Sequence, residues 1–323
     1  MIKKIGVLTS GGDSPGMNAC IRAVVRTAIY NNIEVTGFIR GYEGLIDNNF
    51  TELKRESVSG IIHKGGTILK TARSERFKTP EGLELAAKHL RQNQVEGLIV
   101  IGGDGSFKGA IELGRHINIP IVCCAGTIDN DLAGTDFTIG YDTAINTVVE
   151  AVDKIRDTAE SHDRIFVVEV MGRDAGLIAI RSAIASGAEA LLVPEIGNDL
   201  EILIGKIKNW RSTKSSKIIV VAEGDESGGA YKVADMIKKN FPEFDLRVSI
   251  LGHIQRGGNP TCMERVNASM IGFDAVKALL SGHRNEMIGI INKQIVYTPL
   301  EKAIKHHNTL NKDLVELMDV LSS

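Results

Sequence analysis

Short runs rich in Ile and Val recur along the chain, each closed by glycine or a polar residue and followed by a longer stretch with helical apolar spacing. That alternation constrains the fold more than any other feature. A parallel strand needs a long crossover before its neighbour and is covered on both faces, so its residues read as continuous apolar runs. The expected fold class is therefore α/β, with largely parallel sheets between helices. The pattern predicts strands over residues 5–8, 35–39, 97–101, 119–124, 165–170, 190–193, 218–222 and 248–251. Helices are expected over 17–30, 107–116, 142–161, 175–186, 200–211, 230–240 and 261–282. In the helix from Asp142, residues Ala144, Val148, Val149, Val152 and Ile155 fall at core spacing, which turns its carboxylates to water. A chain of 323 residues exceeds one hydrophobic core, so two such domains are expected.

Charge narrows the partners. Lys plus Arg number 38 against 40 Asp plus Glu, leaving no general field to draw in nucleic acid or an anionic membrane. The apolar run near the start is too short for a signal core, and no stretch approaches a membrane span. Cys20, Cys123, Cys124 and Cys262 show neither C-x-x-C spacing nor a nearby zinc-like His pattern. They read as small buried residues of a reducing compartment, so a cytoplasmic location is expected.

Polar, glycine-rich sequence follows several expected strands, where open α/β sheets bind ligands. In TSGGDSPGMN, over residues 9–18, Gly11 and Gly12 precede a helix whose amide groups and dipole suit phosphate. A tight turn would ask for the same glycines. In IGGDGS, over 101–106, Gly102, Gly103 and Gly105 surround Asp104, pairing close backbone approach with a carboxylate for magnesium. Neither the GxxxxGK[ST] nor the GxGxxG fingerprint is present. In AGTIDND, over 125–131, Asp129 and Asp131 beside Thr127 offer a base and a carboxylate near magnesium, or else an Asx-type turn. VMGRDAG, over 170–176, brings Arg173, and LGHIQRGGNP brings Arg256 to a strand end, where a guanidinium suits phosphate. His253 is read as a sugar-binding donor, with a structural hydrogen bond as the alternative. Glu223 can accept a sugar hydroxyl or cap a loop, Tyr42 can line a nucleotide pocket or pack, and Met171 reads as core on base rates.

Taken in order, TSGGDSPGMN, GGDGS, GTIDND, MGRDAG and LGHIQRGG resemble the ATP-dependent 6-phosphofructokinases of bacterial type over nearly the whole chain. The resemblance implies two Rossmann-like three-layer sandwich domains with a cleft between them. Residues 1–139 plus 251–300 would bind nucleotide, and 140–250 plus 301–323 would bind the sugar phosphate. The implied reaction moves a phosphoryl group from Mg-ATP to the 1-hydroxyl of fructose 6-phosphate, giving fructose 1,6-bisphosphate in glycolysis. Carried over, Gly11, Arg73, Ser74, Gly103, Asp104, Gly105 and Ser106 would contact ATP, and Asp104 would hold Mg2+. Asp129 would be the base, aided by Thr127, Arg73 and Arg173. The sugar phosphate would meet Thr127, Ile128, Asp129, Met171, Gly172, Arg173, Glu223, His253 and Arg256. Arg164 and Arg247 would reach it from a neighbouring subunit of a homotetramer.

Pyrophosphate-dependent relatives typically carry GGDDS and a lysine in the GTIDND loop; Gly105 and Gly126 here point to ATP. Ala125 replaces a usual proline. Arg22, Arg26, Arg55, Arg156, Glu189 and Lys214 match the family's effector pattern for ADP or phosphoenolpyruvate. Gly60 replaces a usual acidic residue, and Ser215 and Ser216 interrupt a basic run, so a weakened or altered response is expected. A non-catalytic regulatory paralogue would have lost Asp104, Asp129, Arg73 or Arg173 first. Another GGDG kinase, such as NAD kinase, would not need LGHIQRGG.

Overall fold

The computed structural model describes residues 2–197, 199–208, 210, 216–304 and 310–322. The chain divides into two compact units, Met1–Thr143 with Arg256–His307, and Ala144–Gln255 with Asn308–Ser323. Unit 1 contains β1 (Lys4–Thr9), α1 (Met17–Tyr30), β2 (Glu34–Phe38), α2 (Gly41–Ile46), β3 (Phe50–Glu52), α3 (Pro80–Gln92), β4 (Gly97–Gly102), α4 (Asp104–His116), β5 (Ile121–Thr127) and β6 (Ile139–Gly140). α5 (Tyr141–Glu160) carries the chain into unit 2. There follow β7 (Ile165–Val170), α6 (Leu177–Ser186), β8 (Ala190–Leu192), α7 (Asp199–Lys208), β9 (Lys217–Ala222), α8 (Ala230–Asn240) and β10 (Leu246–Ile250). The chain returns to unit 1 with α9 (Cys262–Leu280), β11 (Glu286–Ile291), β12 (Gln294–Pro299) and α10 (Leu300–Ala303), and ends in unit 2 with α11 (Lys312–Leu321).

The sheet of unit 1 runs β12-β11-β5-β4-β1-β2-β3, with β6 paired to β5. Its inner strands are parallel, and the outermost, β3 and β12, are antiparallel. Alternation within the strands explains the layering. Ile5, Val7, Ile99 and Ile101 pack with α1 and α9 on one face, while Leu8, Leu98 and Val100 pack with α3 and α4 on the other. Each such side chain, fully buried, is worth about 1.5–3 kcal/mol. In unit 2 the sheet is parallel throughout, in the order β10-β7-β9-β8. Ile165, Val167, Ile219 and Val221 pack with Leu203, Ile207, Val233 and Ile237 of α7 and α8.

Every expected strand and helix is present, though residues 209 and 211 of the expected 200–211 helix lie outside the described residues. The pattern missed α2, α3, β3, β6, β11, β12, α10 and α11. α3 is mostly polar, but Thr79 accepts from the Gly82 N–H at 3.1 Å with Pro80 in the first turn, a start signal that Thr-Pro could have given. The β11–β12 hairpin turns through Asn292 and Lys293, both at positive φ. Cys20, Cys123 and Cys124 are buried as expected; Cys262, at the start of α9, is exposed and corrects that reading.

Candidate active site

In unit 1 the loops that follow β1, β4 and β5 lie at the carboxyl ends of neighbouring parallel strands. After β1, Gly11 adopts φ +87°, and a Cβ there would come 3.3 Å from Ser106 Oγ. A Cβ on Gly12 would meet Arg256 Nη1 at 2.5 Å. The Arg256 guanidinium also donates to the Asp13 carbonyl at 3.3 Å, so this arginine belongs with the first glycine loop, within unit 1. Thr71 Oγ1 donates to Gly11 O at 2.7 Å and Thr9 Oγ1 to Lys70 O at 2.8 Å, tying down the segment that presents Arg73. Arg73 is exposed. The Ser74 hydroxyl is bonded to Glu43 Oε2 and accepts from Phe77 N–H at 3.1 Å, so a ligand would meet mainly its backbone. Tyr42 packs rather than lining an open pocket. It is 4 % exposed, stacks on Phe77 at 3.9 Å and donates to Ser106 O at 2.6 Å. Burial pushes its hydroxyl well above the ordinary pKa, keeping it a donor.

α4 begins at Asp104, and its cap residue, Gly103, offers no side chain to the first N–H groups. Such a helix start suits phosphate oxygens. A Cβ on Gly105 would meet nothing within 4 Å, so the space over this turn is open. Gly126 differs, because a Cβ there would meet Ile101, Met17 and Gly102 N at 3.1–3.2 Å. Its glycine is thus a packing requirement as well. Asp104 presents a carboxylate held by Lys108 Nζ at 2.8 Å. Among the described residues no group of three or more His, Cys, Asp or Glu side chains could hold a metal. One hard carboxylate at a phosphate-binding helix start still fits magnesium, which takes few protein ligands when nucleotide phosphates supply the rest.

The loop after β5 is stapled across itself. Asn130, at φ +54°, accepts from Thr138 N–H at 2.8 Å and donates to Asp136 O at 3.0 Å. Thr138 Oγ1 donates to Thr127 O at 2.6 Å, and Asp129 N–H donates to Thr127 Oγ1 at 3.2 Å. The turn alternative for TIDND is therefore real, and it holds Asp129 at 1 % exposure. Ile128 is buried completely, so it can offer a ligand only its backbone. Asn130 was missed in the sequence; its signal was an asparagine in a polar turn, a residue that tolerates positive φ.

In unit 2 the loop over Gly172 and Arg173 is anchored on Glu223. Its Oε1 accepts from Gly172 N–H at 3.3 Å and Arg173 N–H at 2.8 Å, so it caps this loop. Gly172 adopts φ +145° and Arg173 φ +52°, and the Arg173 side chain is exposed. Met171 is half-buried, with its N–H on Gln255 Oε1 at 3.2 Å. His253 is exposed on a short helical turn. Arg164, just before β7, and Arg247, on the edge strand β10, share Asp245, with Arg164 Nε at 2.7 Å and Arg247 Nη1 at 2.6 Å. The Arg164 hydrogen bond leads in holding the Asp245 carboxyl below its usual range.

The expected effector residues fall in both units. Arg26 and Arg55 line one hollow with Tyr30 and Phe273, and Arg22 lies one turn before Arg26 on α1. Burial, then the Arg26 charge, lowers the Arg22 pKa. Arg156 donates to Ser186 O and Gly187 O at 2.9 Å and approaches Glu189 at 3.6 Å. Glu189 is buried and accepts from Ile218 N–H at 2.6 Å, a structural bond. Lys214 and Ser215 lie outside the described residues, and Ser216 is buried.

The sequence pattern of the family described as phosphofructokinase matches residues 4–279. "ATP-dependent 6-phosphofructokinase 2" of Bacteroides thetaiotaomicron is 52 % identical over 322 residues, 99 % of each chain. The "ATP-dependent 6-phosphofructokinase" of Cytophaga hutchinsonii is also 52 % identical, over 99 % of this chain and 98 % of its own. Phosphofructokinase from Saccharomyces cerevisiae superposes with a TM-score of 0.87 at 38 % identity, over 99 % of this chain and 47 % of the yeast chain.

Proposed function

This chain belongs to the phosphofructokinase family, and we propose that it transfers a phosphoryl group from ATP to the 1-hydroxyl of fructose 6-phosphate, giving fructose 1,6-bisphosphate and ADP in glycolysis. The observation that carries the choice of donor is the open space at Gly105, beside the start of α4 at Gly103. An aspartate there would set a negative charge where a nucleotide's α-phosphate must lie, whereas glycine leaves the room free.

Phosphoryl transfer asks the protein chiefly for alignment and for positive charge on the transferred oxygens. Gly11, Gly103, Gly105, Ser106 and the backbone at Ser74 receive the nucleotide. Asp104 would hold Mg2+, which supplies charge neutralisation between the phosphates. Arg73 and Arg173 add charge at the oxygens, and Asp129 takes the proton of the sugar hydroxyl. Its burial supports that role, because a carboxylate shielded from water and fixed by the Thr127–Asn130 turn is already oriented. Thr127, Ile128, Met171, Gly172, Glu223, His253 and Arg256 bind the sugar phosphate. Unit 1 serves as the nucleotide domain and unit 2 as the main sugar-phosphate domain.

The same reading includes a homotetramer in which Arg164 and Arg247 serve a neighbour's sugar, supported by their pairing to one carboxylate, Asp245, beside the edge strand β10, with Arg247 exposed and Arg164 half-buried. It includes an effector response to ADP or phosphoenolpyruvate through Arg22, Arg26, Arg55, Arg156, Glu189 and Lys214, weakened at Gly60. That residue stands at φ +66°, where the usual acidic residue would be strained. Cytoplasmic work fits the three buried thiols. No helix among the described residues is long and apolar enough to cross a membrane.

The test is to incubate the purified chain with fructose 6-phosphate and magnesium, offering ATP or pyrophosphate. Fructose 1,6-bisphosphate formed with ATP alone is the expected result. Product from pyrophosphate would overturn the donor argument, and none from either would overturn the reaction.

A further inference from the structure

Glu264 has no part in the reading above, yet it sits where the loops of unit 1 meet. It is 3 % exposed, in the first turn of α9. Its Oε2 accepts from the N–H and the hydroxyl of Thr143, each at 3.2 Å, and the Gly140 N–H also donates to the carboxylate. Gly140 and Thr143 close the segment that began at Asp129. On another side Glu264 lies against Gly16, where a Cβ would come within 2.9 Å of its Cγ. Ser14, in the same stretch before α1, donates to Ile139 O at 2.7 Å. α9 itself starts after the run that carries Arg256, and Thr261 N–H donates to Thr143 Oγ1 at 3.3 Å.

The sequence over 261–264, Thr-Cys-Met-Glu, is that of a capping box. Half of the box forms, since Thr261 Oγ1 accepts from Glu264 N–H at 3.1 Å. In the other half a glutamate folds back onto the N–H of its own cap. Here that N–H goes to Thr143 and the carboxylate goes to Gly140 and Thr143. A buried carboxylate turned from its own helix to a neighbouring loop serves the junction rather than the helix.

We propose that Glu264 is a positioning residue for the phosphoryl transfer, acting by fixing the loops of Gly11–Asp13, Asp129 and Arg256 in one arrangement. The proposal rests on the phosphofructokinase reading.

A second property makes it testable. Burial raises the Glu264 carboxyl to about 7, against the bonds from Gly140 and Thr143 that favour the ionised form. Among the charged residues on the elements packed against it, Asp142 on α5 adds to the rise. The stretch before α1 contributes Asp13, whose carbonyl is bonded to Arg256, and α9 contributes Arg265, bonded to Pro260 O. The ionised carboxylate accepts all the bonds described, so alignment weakens as pH falls through about 7. Stability runs the other way. A carboxyl whose folded value lies above its unfolded one favours folding most while protonated, and that contribution is lost as pH rises through the folded value. Glu264 thus trades stability for alignment.

The experiment measures kcat and KM with Mg-ATP and fructose 6-phosphate across neutral pH, together with melting temperature, for the wild-type chain, Glu264→Gln and Thr143→Val. We expect Glu264→Gln to lower kcat on the order of tenfold above neutrality. It should lose an inflection near 7 that the wild type shows, while melting at the same or a higher temperature in mild alkali. Thr143→Val, which removes a bond to the ionised form, should move the inflection to higher pH. A Glu264→Gln chain with wild-type kcat and an unchanged pH profile would overturn the proposal. So would one that loses activity and melting temperature together, since that marks a structural role. A wild-type chain that makes no product at any pH would instead sink the phosphofructokinase reading, and this inference with it.

Discussion

Asp129 of unit 1 and the charged candidates of unit 2 are held in opposite ways. In unit 1 Asp129 is 1 % exposed and sits in a turn stapled by Asn130, Thr127 and Thr138. In unit 2 the side chains of Arg173, Glu223, Arg247 and His253 are exposed, and the anchors there are mostly backbone groups bonded to Glu223. A proton acceptor gains from a fixed orientation in a dry turn, whereas anion-binding arginines must be reachable by a substrate that arrives from water. The difference predicts a division of labour: damage to the stapled Asp129 turn should appear in turnover, and damage to the exposed Arg247 and His253 of unit 2 in affinity for fructose 6-phosphate.

The largest effect expected is for Asp129→Ser, with kcat falling roughly 100- to 10,000-fold in a steady-state assay, because a general base is lost. Near-normal turnover would remove Asp129 from the chemistry. Gly105→Asp should come next, raising KM for ATP by roughly tenfold to a hundredfold through like-charge repulsion. Since space there is open, its melting temperature should barely change, and unaltered ATP kinetics would break the account of donor choice. Asn130→Ala removes the staple and puts alanine at φ +54°. We expect a stability loss of about 1–3 kcal/mol by denaturant titration and a kcat loss near tenfold with little change in KM. Smallest is Arg247→Ala, which should raise KM for fructose 6-phosphate severalfold and leave melting unchanged, since an exposed pair with Asp245 adds little to stability.

Most of the architecture was legible because strands covered on both faces announce themselves as Ile and Val runs, and the glycine loops stand at their ends. What escaped depends on distant partners. β11 is a strand because it pairs with β5, far earlier in the chain, and nothing in its local sequence specifies that neighbour. The candidate side chains were legible by type, since aspartates and arginines beside glycine at strand ends have few other uses. Their supports were not. Asn130 looks like ordinary turn composition, and Glu264 looks like a helix-surface charge until Thr143 and Gly140 are found against it. Arg256 was grouped with the sugar residues by its motif, and only the packing of its guanidinium on Gly12 shows that it is built into the first glycine loop.

The most direct test of the division between the stapled aspartate and the exposed arginines is to measure kcat and KM for fructose 6-phosphate in Asp129→Ser and Arg247→Ala side by side. The account predicts that the first loses kcat with KM nearly kept, and that the second loses affinity with kcat nearly kept. Losses of both variants in the same parameter would contradict it.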